Sequence, residues 1–402
     1  MKSSSIVRAV LALTTLAACV DAGKAQKNDP DSSHARNPFQ FPNIFNTESG
    51  KHTIRKAHEF EVTHVGFFHK FRPPPWGGGN QFLLALAGEL RRRGVTIADN
   101  EMNKQTRVYM ANAITFKTEP FRDAARKKKM DSRGGSKDAP MLVHRLDGPY
   151  YCSRFGKDPR TDAKVDPWRA REDDRVYEIN TEFACATIFQ SKWSYAMNLM
   201  LGYKPKDPVA IINNAVDHNI FHNASRIAWE GAARKERKIR IISTSWSNHA
   251  RKGFEHFKWL DQNLDFDRYE YTFIGNLPDG YSPETFEHII VKEPITSEVL
   301  APILREHDIY IAASSLEPCS NALLEALNSG LPTIFLDGSG HNELVKDAGF
   351  AYQIPEEIPG LLVELESKYL ELQAKIKTMT IMEVADKYLA VYKKCLTSAE
   401  SA

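Results

Sequence analysis

Runs of strand-type residues alternate with helical runs along most of this chain, and the alternation occurs twice. The first series opens with FEVTHVGFF (60–68), whose β-branched and aromatic content predicts a strand. The loop RPPPWGGGN leads into QFLLALAGELRRRG, where Phe82, Leu83, Leu86 and Leu90 mark the apolar stripe of an amphipathic helix that Gly94 stops. VTIAD, MLVHRLD and TIFQS read as further strands, and RVYEINTEFACA before the last of these reads as strand or helix. PVAIINNAVDHNIF (208–221) reads as a strand leaving this unit, followed by a polar linker. The second series runs from KIRIISTSW (238–246) through the helix GFEHFKWLDQNL, the strands YEYTFIG and HIIVKEP, a helix near 297–306, the strand DIYIAAS, a short helix and TIFLD. Strands alternating with helices form a parallel sheet covered on both faces. The expected fold class is α/β, with two doubly wound domains facing a cleft and a hinge near 205–235. No internal sequence repeat relates the halves. Ligands of such a fold bind at the carboxyl ends of the strands.

The 402 residues suit two domains, and a net charge of +2 argues neither for nor against nucleic acid. The domain reading is a targeting segment at 1–25, a linker at 26–58, an N-terminal domain at 59–205, a C-terminal domain at 206–375 and a C-terminal helix at 376–402. In the first segment Lys2 and Arg8 precede AVLALTTLAACV, a short apolar run that reads as a secretory signal peptide. LAAC at 16–19 also has the form of a bacterial lipoprotein box, and an organelle-targeting peptide or a disordered extension are the alternatives. Localisation is thus expected in the secretory pathway or at a membrane, or else in the cytoplasm or an organelle. Cys152, Cys185, Cys319 and Cys395 lie far apart, without metal spacing, and neither require nor exclude one disulfide. The sequon Asn223-Ala224-Ser225 would matter only in a eukaryotic secretory protein. The basic run between 122 and 137 reads as a solvated loop, with an anionic acceptor or lipid head group as its other use. Without interleaved aromatic residues it is not expected to bind nucleic acid.

The chemistry concentrates in SSLEPCSNALLEALNSGLPTIF (314–335). Ser320 or Asn321 can cap a helix there and Gly330 can end it, so that its free N–H groups and positive dipole end form a phosphate site. Glu325 lies one turn in, placed for a ribose with two hydroxyls. Glu317 lies in the preceding loop, within reach of hydroxyls on a sugar. Two glutamates eight apart are common, so the pair gains meaning only from its surroundings. STSWSNHARKGF supplies Lys252 and Arg251 at the end of a strand, and Gly253 allows close backbone approach. WGGGN offers unobstructed backbone N–H groups, but Phe82 stands where a dinucleotide fingerprint needs its third glycine. VHRLDGPYY puts His144, Arg145 and Asp147 at a strand's carboxyl end. No zinc, calcium or triad arrangement is expected, and Asp265 and Asp267 read as surface.

The stretch from Glu317 to Tyr352 resembles the nucleotide-binding segment of retaining glycosyltransferases of the GT-B fold, family 4. Glu317, Glu325, Ala326, Gly330, Pro332, Gly340 and Glu343 match its pattern of two spaced acids, Gly-x-Pro and Gly-x-x-Glu. Weaker support comes from the glycines at 77–79, HRLDG, IFQSKWS, Lys252-Gly253 and FIGN. The resemblance implies two Rossmann-like domains, the first for the acceptor and the second for a nucleotide-sugar donor, with no separate cofactor or metal. It implies that Glu325 binds the ribose, Glu317 the transferred sugar and Lys252 the diphosphate. The backbone at Ser320, Asn321 and Ala322 and at Gly78 and Gly79 would cradle the phosphates, with His144 or Asp147 facing the reacting sugar. The acceptor would be a hydroxyl of a glycan, lipid or protein. The chain departs from the pattern at Ser247, where the family places an arginine that Arg251 would replace, and at Ser320 or Asn321, where it places a glycine. Ser247 leaves open a catalytically silent binder on the same scaffold, and the two-domain cleft also leaves open a sugar-nucleotide epimerase.

Overall fold

The computed structural model describes residues 61–69, 71–72, 77–113, 119–123, 140–149, 167–224, 226 and 237–400. The segments read as a leader (1–25) and a linker (26–58), Cys152, Ser225 of the sequon and most of the basic run lie outside the described residues.

The first domain comprises β1 (His64–Phe68), α1 (Gly78–Arg92), β2 (Thr96–Asp99), β3 (Val108–Asn112), β4 (Met141–Leu146), α2 (Pro167–Phe183), β5 (Ala184–Phe189), α3 (Lys192–Met200) and β6 (Val209–Ile211). Its strands pair in parallel in the order β2-β1-β3-β4-β5-β6. The strand β3 is absent from the sequence reading. It is buried along its whole length, so it shows none of the alternation that marks a half-exposed strand. The helix α1 starts at Gly78 rather than Gln81. The glycines expected in a loop therefore form its first turn, whose N–H groups have no partner within the helix.

The second domain comprises β7 (Ile239–Ser245), α4 (Phe254–Asn263), β8 (Tyr269–Gly275), β9 (Ile290–Lys292), α5 (Ser297–Glu306), β10 (Ile309–Ala312), α6 (Asn321–Asn328), β11 (Thr333–Leu336), α7 (His341–Val345), β12 (Gly349–Tyr352), α8 (Ile358–Ser367) and α9 (Tyr369–Ala374). Its parallel order is β12-β11-β10-β7-β8-β9. The residues GFAY, read as a turn, form its edge strand β12 on β11.

Both sheets are doubly wound, with their order reversing between β1 and β3 in the first and between β7 and β10 in the second. Crevices for ligands form at such reversals, outside the carboxyl ends of the strands. Each sheet is covered on both faces. In the second, Ile241, Tyr271 and Ile311 meet α4, α8 and α9, while Ile242, Tyr310 and Phe335 meet α5, α6 and α7.

The last helix, α10 (Ile381–Glu400), belongs by packing to the first domain. Its Tyr388, Leu389 and Tyr392 share one core with Val65, Phe82, Leu86 and Val143. A disulfide joins Cys185 at β5 to Cys395 on α10, and Arg93 ties Glu89 of α1 to Asp386.

Candidate functional site

A cavity of about 410 Å³ opens between the carboxyl ends of the two sheets, lined by the glycines at 77–79, Asp147, Lys252, Glu317 and the start of α6. The helix α6 is capped by Ser320, whose Oγ accepts from the Leu323 N–H at 3.2 Å. Capping by Ser320 frees Asn321, whose Nδ2 donates across the cleft to the Gly78 carbonyl. Gly330, at φ +86°, ends the helix. The first turns of α1 and α6 thus face one another across the cavity, each presenting backbone N–H groups and a positive dipole end.

The loop carrying Glu317 is held on both sides. Leu316 before it adopts φ +54°, a strained conformation for a branched residue. Gly340 closes over the loop and donates from its N–H to the Glu317 carbonyl at 2.9 Å. A Cβ on Gly340 would stand 2.1 Å from the Pro318 carbonyl oxygen, so the approach requires glycine. Lys252 ends a short 3-10 turn (Ala250–Lys252), and its Nζ meets Glu317 Oε2 at 2.5 Å. Gly253 follows at φ +83° with room for no side chain, because a Cβ would lie 2.4 Å from the Ala313 carbonyl oxygen. That contact sets the turn against the end of β10, and the Ser315 N–H donates to the Arg251 carbonyl at 2.8 Å. Burial pushes the Glu317 carboxyl up, but the charge and hydrogen bond of Lys252, with Arg251 nearby, hold it below the usual carboxylate range.

Glu325 lies one turn into α6 at the cavity wall, and burial pushes its carboxyl up to about 8. The neutral form that burial favours can donate one hydrogen bond and accept others. Ser247 and Arg251 both line the cavity beside Lys252, so the guanidinium that could replace the family's arginine is within the site.

On the first domain, Asp147 lines the cavity and His144 does not. His144 is fully buried on the face of β4 that packs against α2. There its Nε2 lies 3.2 Å from the Ala113 carbonyl and its Nδ1 is 3.4 Å from Asn180 Nδ2. Strand alternation turns it away from the cleft, and burial pushes its imidazole down to about 4. The reading of His144 as a group facing the sugar is corrected: it is a core histidine.

Sequence reasoning missed three groups. Gln190, just past β5, donates to Asp147 Oδ1; it stood inside IFQSKWS without being singled out. Asn112 ends the strand β3, and its Nδ2 lies 3.4 Å from Asp147 Oδ2. Asn214, beyond β6, has no spacing or composition signal. Glu343 of the Gly-x-x-Glu motif caps α3 of the opposite domain, accepting from the Lys192 and Trp193 N–H groups at 2.9 and 2.7 Å. Among the described residues no group of three or more His, Cys, Asp or Glu side chains is placed to hold a metal ion.

Residues 255–379 match the family described as glycosyl transferases group 1. No curated protein sequence matches the chain. Among solved structures, sucrose-phosphate synthase from Thermosynechococcus elongatus superposes with a TM-score of 0.56 at 12% identity, over 84% of this chain and 98% of that one. The catalytic domain of starch synthase IV from Arabidopsis thaliana gives 0.58 at 12%, over 84% and 99%. HepE from Anabaena, in complex with UDP, gives 0.52 at 13%, over 85% and 98%. Over residues 255–379 the chain thus matches the family described as glycosyl transferases group 1, and its two facing parallel-sheet domains share the GT-B fold of these solved structures.

Proposed function

We propose that the chain is a retaining glycosyltransferase that moves a sugar from a nucleoside-diphosphate donor to a hydroxyl acceptor without a metal ion. One observation carries this reading: Glu317, Lys252, Glu325 and the N-terminus of α6 converge on a single cavity between the two domains. A diphosphate between the start of α6 and the Gly78-Gly79 turn would meet backbone N–H groups from both sides. Lys252, with Arg251, takes the charge that develops on the leaving phosphate, the task a divalent cation performs elsewhere. Glu325 receives the ribose hydroxyls and Glu317 the hydroxyls of the transferred sugar. With Glu317 engaged by Lys252, the reading assigns it to sugar binding rather than to nucleophilic attack. The acceptor hydroxyl attacks the donor-side face, and its proton passes to the departing phosphate. Asp147 receives hydroxyls from the first-domain side.

The HepE structures with UDP and with UDP-glucose, and the starch synthase bound to ADP, point to the same donor class. Secretory or membrane-associated localisation, through residues 1–25 or the basic run, remains part of the proposal. The test is thermal stabilisation of the protein lacking residues 1–25 by UDP, GDP and ADP in EDTA, beside Glu325→Ala. One nucleotide is expected to stabilise the wild type and not the variant. Turnover of the corresponding sugar nucleotide, with the anomeric configuration of the product read by NMR, then tests retention. No stabilisation by any nucleotide would favour the silent binder, with Ser247 as its cause.

A further inference from the structure

Arg145 is fully buried at the floor of the cleft, its guanidinium 4.8 Å from the centre of the Phe82 ring. A guanidinium can only donate hydrogen bonds, so every amide it touches must turn its oxygen inward and its nitrogen outward. Arg145 Nη1 donates to Asn112 Oδ1 and, at 3.2 Å, to Asp147 Oδ1. Its Nη2 donates to Asn214 Oδ1 at 2.6 Å. The Asn112 nitrogen consequently faces Asp147 Oδ2, and the Asn214 nitrogen faces Gln190 Oε1 at 3.1 Å and Asn321 Oδ1 at 2.9 Å. Those contacts in turn direct Gln190 Nε2 to Asp147 Oδ1, and Asn321 Nδ2 to the Gly78 carbonyl. Asn214 is the branch point, and its own N–H is engaged by Cys319 Sγ at 3.3 Å.

We propose that Arg145 is a positioning residue that, through Asn214, polarises this relay of side-chain amides toward two ends. One end rings Asp147 with N–H donors, so that the remaining lone pairs of its carboxylate face the cavity and select a hydroxyl or another hydrogen-bond donor there. The other end holds the first turn of α1 against α6, closing the cleft over the donor. Neither Arg145 nor Asn214 needs to touch the reacting atoms. What Asp147 meets rests on the transferase reading; the polarity of the relay and its hold on the cleft do not.

The alternative is that the amides merely satisfy a buried guanidinium. Two isosteric variants separate the cases. Asn214→Asp still accepts from Arg145 but cannot donate, so Gln190 and Asn321 must turn their nitrogens toward it and set oxygens against Asp147 and the Gly78 carbonyl. Asn112→Asp reverses only the short arm to Asp147. Each sets a carboxylate against the buried Arg145 guanidinium, which offsets part of its desolvation, so folding is expected to persist at a lowered melting temperature. By small-angle scattering of the ligand-free protein, Asn214→Asp is expected to have a larger radius of gyration, and Asn112→Asp an unchanged one. For whichever of UDP, GDP or ADP binds the wild type, Asn214→Asp is expected to weaken affinity about tenfold, while Asn112→Asp retains affinity and loses turnover about tenfold. Wild-type radii and affinities in a folded Asn214→Asp protein would overturn the relay. Failure of the wild type to bind any nucleotide would overturn the transferase reading instead, leaving scattering to decide the relay.

Discussion

The carboxyl of Glu325 offers a direct measure of what the donor site costs the folded protein. Burial raises it from 4.5 to about 8. An acid whose folded-state pKa lies above its unfolded value binds its proton more tightly when folded. Its contribution is therefore fully present below the unfolded pKa and is lost as pH rises through the folded one. A shift of about 3.5 pH units at about 1.36 kcal/mol each sets an upper bound of about 5 kcal/mol between the two ends of that window. Glu325→Gln keeps the shape and donating capacity of the neutral acid but does not titrate. Near pH 4 the variant is expected to match the wild type, and near pH 9 to be more stable by about 3–5 kcal/mol. For a domain of this size that is about 10 °C in the melting temperature. Calorimetry of both proteins across the range, without nucleotide, reads the difference. A gap equal at both ends of the range would refute the argument, since loss of a hydrogen bond or of packing has no reason to vanish below the unfolded pKa.

Three further outcomes follow from the site. Glu317→Gln frees Lys252 from its 2.5 Å ion pair and removes a negative charge beside the diphosphate position. Titration calorimetry should show tighter nucleoside-diphosphate binding, by about fivefold for a partly exposed pair, together with loss of turnover; weaker binding would sink the assignment. Gly77→Ala places a Cβ 2.4 Å from Trp246 Cδ1 across the cleft, so nucleotide-induced stabilisation should fall while the ligand-free melting temperature holds. His144→Ala should lower stability by about 1–3 kcal/mol and leave turnover of the folded enzyme and its pH profile unchanged; a lost limb in that profile would restore His144 to the site.

Much of the fold is legible because periodicity and stop signals reflect local physics. The apolar stripe of α1, the strand-type runs of both sheets and the cap and terminator of α6 depend on residues within a few positions of one another. The misses have the opposite character. The strand β3 is covered on both faces by elements remote in sequence, so it carries no alternation. Gly78 and Gly79 read as a loop because their composition resists helix formation, yet contact with Asn321 across the cleft secures them as a first turn. The motif acids stand out because a carboxylate in the loop before a short apolar helix and a second one inside that helix have no role in folding. Asn112, Gln190 and Asn214 stay silent, because an amide declares its purpose only through its neighbours. His144 misled because a strand's carboxyl end carries both cleft-facing and core-facing positions, and register alone separates them.

The packing of α10 on α1 and β4 has a consequence for the order in which the molecule is completed. A ribosome delivers residues 61–211 before 381–400, so that domain lacks the wall supplied by Tyr388, Leu389 and Tyr392 until after the whole second domain has emerged. The second domain, closed by α8 and α9, has all its parts earlier. The domain made first is therefore finished last, its unfinished face exposing Phe82, Leu86 and Val143 to whatever apolar surface is nearby. Cut between β6 and Val216, the first half is expected to need α10 supplied in trans, while Val216 and Phe221 stay with the core of the second.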